Sequence, residues 1–411
     1  MPLDAILFGE IDPPQRLLMG PGPVNAYPRV LRAMAADLLG QFDPEMTGYM
    51  EQVMALYRPI FGTANRWTFL IDGTARAAIE ASLVSLLVPG ETLLVVNFGR
   101  FGLLLQEIGE RIGARVETVD APWGETVPLP AIAAAIQRTA PQVVATVHGD
   151  TSTTMAQPLA GVGDLAHAAG ALLYVDATAT LAGMPIESDA WGADIVTGGL
   201  QKCLGGPSGS APITISDRAA AHIAARRHVE KGLRRDDTAD SGGRRIASNY
   251  FDLAMVMDYW GERRLNHHTE ATTMLYGARE CARVALGEGL EARYARHTAA
   301  GRAVVAGIRA MGLSVFGTDA TRMTNVTGIH IPDGIDGERV RARMRDEWEI
   351  EIGTAFGPLA GHIWRIGAMG YNATRAKILH TLAALEAVLR AEGLALPAGA
   401  GVKAAMAAWH G

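Results

Sequence analysis

Cysteine and positive charge are both scarce in this sequence. Only two cysteines, Cys203 and Cys281, occur among the 411 residues, too few for a disulfide framework or a cysteine-rich zinc site. Lysine and arginine together number 37 against 43 aspartates and glutamates, so the formal net charge is −6. A mildly acidic chain lacks the basic footprint of a nucleic-acid-binding protein. We therefore expect reduced thiols and no nucleic-acid partner.

Apolar runs long enough to cross a membrane are also missing, because Glu80 and Asp176 interrupt the longest ones. The opening Met1-Pro2-Leu3-Asp4 lacks the basic-then-apolar pattern of a signal peptide. With 49% hydrophobic and 19% charged residues, the composition is that of a globular protein. We expect a cytoplasmic protein with no membrane association.

From about residue 66 to residue 215, short apolar runs alternate with helical patterns. Apolar strands separated by helices indicate a mainly parallel, doubly wound sheet covered on both faces. The sequence thus predicts an α/β large domain, with strands at 67–71, 92–96, 142–147, 171–175, 194–197 and 211–215.

From about Gly287 onward the pattern predicts a smaller α+β domain. We divide the chain into an N-terminal arm at 1–23, a large domain at 24–286 and a small domain at 287–411. The charged segment 228–249 is predicted to be an exposed, mobile connector, and composition favours this over a substrate-gating lid. The Ala- and Gly-rich tail after Pro397 has the composition of a low-complexity tract.

Polar and glycine-rich residues follow the predicted strands. In open parallel sheets, ligands bind beyond the carboxyl ends of the strands, so these residues are expected to share one rim. The segments that follow five of the strands are 72–76, 97–101, 148–153, 176–178 and 198–202.

Individual residues on this rim suit a phosphorylated, cationic aromatic cofactor. The helix that starts near Thr74 offers free N–H groups to a phosphate, although an ordinary capping loop has the same sequence. Phe101 could stack on a flat ring or begin a buried helix face. Asp176 ends an apolar strand, where an unpaired carboxylate is costly, so it is expected to have a cationic ligand as partner. A structural salt bridge or a helix N-cap is the alternative explanation. Desolvation would let Lys202 attack a carbonyl carbon as a neutral amine, whereas a surface loop would leave it charged.

Three motifs carry a family resemblance. Together they resemble the fold-type I, class V pyridoxal-phosphate aminotransferases, and the likeness runs in order along nearly the whole chain. Other segments, at 19–24, 148–153 and 364–367, are similar to the alanine–glyoxylate and serine–glyoxylate branch of that family. The three motifs are Asp176-Ala177-Thr178-Ala179, Gly198-Gly199-Leu200-Gln201-Lys202 and Gly206-Pro207-Ser208-Gly209.

The resemblance implies a role for each matching residue. Lys202 is the catalytic residue and would join the aldehyde of pyridoxal 5'-phosphate, while Asp176 would pair with the pyridine nitrogen. Arg365 would hold the substrate carboxylate, although a salt bridge at the sheet edge is the alternative. Thr269 would reach the phosphate of the partner subunit, which implies a homodimer with shared active sites. The other implied contacts are Thr74, Ala75, Arg76 and Gln201 at the phosphate, Phe101, Ser152 and Thr178 at the ring, and Gly22 at the substrate.

A narrower resemblance concerns the amino donor. Segments 40–44, 248–253 and 263–269 are similar to the branch that transfers an amino group from (S)-ureidoglycine to glyoxylate in purine catabolism. In that branch an N-terminal Gln and an Asn from the partner chain distinguish the substrate, matched here by Gln41 and Asn266. Their amides complement a ureido group, whereas the methyl of alanine would leave them unpaired at about 1–3 kcal/mol each. Without the resemblance, ordinary interface hydrogen bonds are the better explanation of both residues.

Ping-pong transamination is the expected mechanism, with Lys202 as general base and acid and with oxalurate and glycine as products. Alanine–glyoxylate or serine–glyoxylate transamination is the first alternative. A cysteine desulfurase needs a thiol on a mobile loop of the small domain, and neither cysteine fits. A non-enzymatic cofactor-fold sensor or scaffold would usually carry a basic extension, which is not visible.

A metal site is the competing interpretation of three neighbouring residues, His267, His268 and Glu270. No further cluster of possible ligands accompanies them in the sequence, so we expect no metal.

Overall fold

A computed structural model describes residues 9–235 and 240–410. The first residues of the predicted arm, Met1 to Phe8, lie outside the described residues, as do 236–239 of the charged connector. In the described part, no helix is both long and apolar enough to span a bilayer.

The centre of the molecule is a seven-stranded, mainly parallel sheet. The strands of the described chain are β1 (Leu17–Leu18), β2 (Trp67–Gly73), β3 (Thr92–Asn97), β4 (Arg115–Asp120), β5 (Val143–Val147), β6 (Gly149–Asp150), β7 (Met155–Ala156), β8 (Leu172–Asp176), β9 (Ile195–Thr197), β10 (Gly209–Ile215), β11 (Val326–His330), β12 (Ile350–Glu351) and β13 (Ile363–Gly367). The order in the central sheet is β2-β10-β9-β8-β5-β3-β4, and β10 alone runs in the opposite direction to the other six strands. The predicted fold class, a mainly parallel sheet covered by helices, is therefore confirmed.

Helices cover this sheet and build the smaller part of the molecule. Apolar residues recur on one side of most helices, and these sides face the sheet or one another. The helices are α1 (Pro28–Met34), α2 (Pro44–Phe61), α3 (Ala75–Leu86), α4 (Arg100–Ile112), α5 (Leu129–Thr139), α6 (Val162–Ala168), α7 (Asp217–Ala224), α8 (Leu253–Trp260), α9 (Thr272–Glu288), α10 (Leu290–Ala310), α11 (Gly337–Trp348), α12 (Arg375–Ala391) and α13 (Ala400–His410).

The apolar core falls into two main clusters. The larger surrounds the seven-stranded sheet, whereas the smaller joins α10, α11, α12 and α13 with β13. Met19 belongs to the smaller cluster, and the adjoining β1 pairs in parallel with β12. The N-terminal arm thus crosses from the small core to the large one. The domain boundaries at 23/24 and 286/287 stay a prediction.

Strand β4 and helix α13 illustrate where the structure departs from the sequence-based expectation. Strand β4 was not predicted, because it lies at the sheet edge, its ends are exposed and polar residues separate its two valines. The tail after Pro397 is not a featureless tract but forms α13, which packs against α10 and α12. Alanine has the highest helix propensity, so an Ala-rich segment that finds an apolar partner becomes helical.

The described part of the connector 228–249 satisfies many of its own charges. The Asp240 carboxylate pairs with His228, Arg234 and, more distantly, Arg245, and it accepts a hydrogen bond from the Val229 N–H. A short 3₁₀ turn spans Lys231–Leu233. The segment therefore has internal structure, and its predicted mobility stays a prediction.

Strand ends place the predicted rim residues on one side of the sheet. β8 ends at Asp176, while β9 leads through a glycine pair into a short π-helical turn, Leu200–Leu204, that carries Lys202. β2 leads into α3 and β3 into α4 in the same way. Because the parallel strands end at one edge, residues far apart in sequence meet there.

Candidate active site

Lys202 lies in the middle of the turn that follows β9. Its backbone (φ −112°, ψ −126°) is not helical, and the turn ends at Gly205 with a positive φ. The side-chain amine Nζ donates a hydrogen bond to the carbonyl of Pro21 in the N-terminal arm. Burial, and then the positive charge of Arg365, lower the pKa of Lys202 to about 8. This amine loses its proton far more readily than an exposed lysine does.

Gly22 is in direct contact with the side chain of Lys202. A Cβ added at Gly22 would lie 2.3 Å from Cδ and 2.5 Å from Nζ of the lysine, and the backbone φ of +102° also favours glycine. The arm therefore covers Lys202 closely, and the residue predicted to contact substrate lies against the reactive amine.

A cavity of about 220 Å³ opens beside Lys202 at the rim of the sheet. Its wall combines the end of β8, the first turn of α3 and the first turn of α4. Most of the residues predicted to hold the cofactor share this wall, namely Thr74, Ala75, Arg76, Phe101, Asp176, Thr178, Gln201 and Lys202.

Asp176 is a buried carboxylate without a cationic partner. It forms no ion pair within residues 9–235 and 240–410, and it accepts a 2.8 Å hydrogen bond from the Thr178 N–H. Burial raises the pKa of its carboxyl, because the charged form is poorly solvated. The salt-bridge alternative is therefore not seen, and the carboxylate is oriented for a cation placed in the cavity.

The opposite end of the cavity presents unused hydrogen-bond donors. The first N–H groups of any helix have no intrahelical acceptor. In α3 the N-cap residue Thr74 does not accept from them with its side chain either. In the described part of the chain, Gln201 Nε2 and the Arg76 guanidinium, the two side-chain donors here, make no hydrogen bond, Arg76 forms no ion pair, and the buried amide oxygen Oε1 of Gln201 also lacks a partner. Such donors at a helix N-terminus suit a phosphate.

Ser152 lies behind the cavity wall. Its hydroxyl accepts a hydrogen bond from the Arg100 N–H and donates to the carboxylate of Asp150 at 2.6 Å. The structure thus places it where it supports the start of α4, and a direct contact with the cofactor ring stays a prediction.

Asp150 is a site residue that the sequence reasoning missed. This fully buried carboxylate accepts hydrogen bonds from the N–H groups of Phe101 and Ser152, each at 2.8 Å. It thereby fixes Phe101, whose ring lines the cavity. The available signal was a carboxylate just beyond an apolar strand, β5, the same pattern that singled out Asp176.

Arg365 lies on β13 and is almost completely buried. Its guanidinium donates to the carbonyl oxygens of Thr151 and Thr354 and forms no ion pair with a carboxylate among the described residues. Burial lowers the pKa of Arg365 to about 10. Asp150 lies near enough to act on this pKa but forms no direct ion pair with Arg365, so the salt-bridge alternative is not seen here either. A buried cation that is not directly paired is suited to a substrate carboxylate.

Gln41, Asn266 and Thr269 lie outside this cavity. Gln41 Nε2 donates to Asn266 Oδ1 at 2.6 Å within one chain, and both Asn266 and Thr269 are exposed. The two amides that were expected to discriminate the donor therefore belong to one surface patch of a single subunit. The predicted contacts of Gln41 and of the partner chain's Asn with the substrate stay a prediction.

The predicted metal alternative is changed by the structure. Asp72, which is distant in sequence, joins His268 and Glu270 in one group with ligand atoms within 4.8 Å of one another, whereas His267 is not part of it. His268 pairs with Asp72 at 3.1 Å, and the Tyr259 hydroxyl donates to Glu270. These contacts pair His268 with Asp72 and occupy one oxygen of Glu270, whereas its other oxygen, Oε1, is buried and has no hydrogen-bond partner among the described residues.

Both cysteines are fully buried, and burial raises the pKa of each thiol. Asn325 Nδ2 lies 3.0 Å from the sulfur of Cys203. Neither thiol is presented on a loop for nucleophilic attack, so the geometry does not suit a desulfurase.

Comparisons with known proteins agree with this arrangement. The family model described as "Aminotransferase class-V" matches residues 27–391. The chain is 49% identical over 399 residues to (S)-ureidoglycine–glyoxylate transaminase of Bacillus subtilis (strain 168), covering 97% of this chain and 96% of that protein. A crystal structure of ureidoglycine–glyoxylate aminotransferase from Bacillus subtilis superposes with a TM-score of 0.92 at 47% identity, covering 98% and 100% of the two chains. Alanine–glyoxylate aminotransferase of Mus musculus is 33% identical over 381 residues, covering 92% and 88%.

Proposed function

The chain belongs to the class V aminotransferase family, and we propose that it transfers the amino group of (S)-ureidoglycine to glyoxylate, giving oxalurate and glycine. The observation that carries this choice is the full-length similarity to an enzyme named for that reaction, with the alanine–glyoxylate enzymes more distant. Purine catabolism is the setting that this reaction implies.

Enzymes of this family depend on pyridoxal 5'-phosphate, and the residues of the cavity fit it. Asp176 would hold the pyridine nitrogen, while Arg76, Gln201 and the first turn of α3 would hold the phosphate. The Gln201 side chain, which makes no hydrogen bond among the described residues, would give its Nε2 N–H groups to the phosphate, and the unpaired carboxylate of Asp176 would accept from the ring nitrogen. When bound, the cofactor supplies an aldehyde that holds the amino group and a ring that accepts electrons from the bond being broken.

Lys202 would move the proton of the amino donor. Its Nζ is partly neutral near neutral pH because its pKa is lowered to about 8, so it can accept a proton from the donor Cα. Burial between the arm and the cavity limits access of water to the same atom. One residue thus combines a suitable pKa with a protected position.

Arg365 would bind the carboxylate that the amino donor and glyoxylate share. Its planar guanidinium is held by two carbonyl oxygens, so little side-chain freedom is lost when a carboxylate binds.

We further propose that the enzyme is a homodimer with shared active sites. Gln41, Asn266 and Thr269 lie outside the cavity of their own chain, which supports a role in the site of a second copy. Exposed apolar side chains that a partner could cover lie on the stretch that carries Gln41, namely Leu31, Leu38 and Phe42.

We also propose a cytoplasmic location, which is supported by two buried cysteines that form no disulfide.

The donor is tested by single-turnover half-reactions of the holoenzyme with (S)-ureidoglycine, alanine and serine. We expect ureidoglycine to convert the cofactor fastest, because only its ureido group can use both amides. A faster reaction with alanine would instead assign the chain to alanine–glyoxylate transamination. A colourless protein that takes up no added pyridoxal phosphate would favour a scaffold.

A further inference from the structure

The guanidinium of Arg100 lies over two aromatic rings. It begins α4, next to Phe101, and its guanidinium carbon lies 5.3 Å from the ring centroid of Phe101 and 4.7 Å from that of Phe356. Across the described ranges, its side chain makes no hydrogen bond and no ion pair. The rings hold the guanidinium by its faces, which leaves its N–H edges free.

Arg365 shares the ring of Phe356 with Arg100. The guanidinium carbon of Arg365 lies 5.2 Å from the same centroid, and Arg100 contributes to the lowered pKa values of both Arg365 and Lys202. Two cations held over one ring repel each other, and an anion bound nearby would relieve this repulsion.

The donors of Arg365 are largely committed to the protein. Its Nε and Nη2 donate to the Thr354 carbonyl and its Nη1 to the Thr151 carbonyl. A substrate carboxylate therefore finds few free N–H groups on Arg365, whereas all those of Arg100 are available.

We propose that Arg100 is a second substrate-binding residue, which gives its free N–H groups to the carboxylate of glyoxylate and of the amino donor beside Arg365. Phe356, 43% exposed, lies under both guanidinium groups, and each group also contacts a residue of the cavity wall: Arg100 lies over Phe101, and Arg365 donates to the carbonyl of Thr151. The identity of the substrate in this inference rests on the proposed function. The prediction that Arg100 binds a carboxylate does not.

The test uses the holoenzyme and oxamate, an unreactive carboxylate with the carbon skeleton of glyoxylate. We expect Arg100→Met to weaken oxamate binding in calorimetry about ten- to a hundredfold, with a similar rise in the KM of glyoxylate and little change in kcat. Arg100→Lys is expected to lose less, because it keeps the charge. Arg111→Met removes the same charge from an exposed, ion-paired position on α4 and should behave as the wild type.

A purely structural role for Arg100 predicts a different ranking of the methionine and lysine variants. If Arg100 only packs against Phe101, methionine would replace it better than lysine, oxamate affinity would stay unchanged and the cofactor absorbance would shift. Those results would overturn the inference. Failure of the wild type to use ureidoglycine would instead reject the proposed donor, and oxamate binding would still report on Arg100.

Discussion

The side chain of Gln41 donates a hydrogen bond of 2.6 Å to that of Asn266, although the two residues are 225 positions apart in the chain. The backbone N–H of Glu270 also faces the Gln41 oxygen, at 3.3 Å. The two amides therefore act as one unit: replacing Gln41 removes the hydrogen-bond partner of Asn266, whereas replacing Asn266 leaves Gln41 with the Glu270 N–H alone.

We expect Gln41→Ala and Asn266→Ala each to lower kcat/KM for (S)-ureidoglycine about tenfold, since each loses roughly one hydrogen bond to the substrate. Rates with alanine should stay the same or rise. The double variant should lose less than the product of the two single effects, because the residues share one hydrogen bond. Equal losses with both donors would show that the pair is only structural.

A second prediction concerns the pH dependence of Lys202. We expect cofactor uptake by the apo-protein to accelerate with rising pH and to level off above about 8, because only the neutral amine attacks an aldehyde. An unperturbed lysine would instead show an increase continuing to about pH 10. Stopped-flow absorbance measures the rate. Lys202→Ala should abolish the reaction, whereas Lys403→Ala, at an exposed position in α13, should not change it.

Asp176→Asn should separate function from stability. We expect a loss of activity of about a hundredfold or more, because a neutral amide no longer stabilises a protonated pyridine nitrogen. The melting temperature of the apo-protein should stay the same or rise, since burial raises the pKa of this carboxyl and the charged form costs folding energy at neutral pH.

Asp194→Asn is the matched control for Asp176→Asn. Asp194 is equally buried but is paired with His167 and accepts a hydrogen bond from Ser216. Its variant should lower the melting temperature and leave kcat unchanged. The opposite pattern in the two variants would contradict the roles assigned to them. Calorimetry of the apo-proteins and steady-state kinetics give the two measurements.

Gly22→Ala should damage the site without unfolding the protein. The added Cβ would overlap the side chain of Lys202, and a displacement of about 1 Å at a reacting group can cost about a hundredfold in rate. Gly287→Ala, in α9 with nothing within 4 Å of its Cβ, is the control and should retain full activity. Normal activity of Gly22→Ala would show that the arm moves away during the reaction.

The alternation of apolar strands and helical patterns was enough to predict the fold class and the rim on which the site lies. Each of those strands can be recognised in the sequence by itself, because a strand that is buried on both faces requires a continuous apolar run. The edge strand β4 has no such run. The Ala-rich composition of α13 is compatible with a helix, but its packing against α10 is a contact between distant segments that the local sequence does not show.

Lys202, Asp176 and the helix start at Thr74 could be singled out from the sequence because each follows a strand that the sequence itself predicts. Three relations depend on the tertiary structure: the Gln41–Asn266 hydrogen bond, the buried network of Asp150, and the stack of Arg100, Phe356 and Arg365. These contacts join residues from distant segments. Their energies depend on distance, burial and the loss of solvent, which only the folded chain sets.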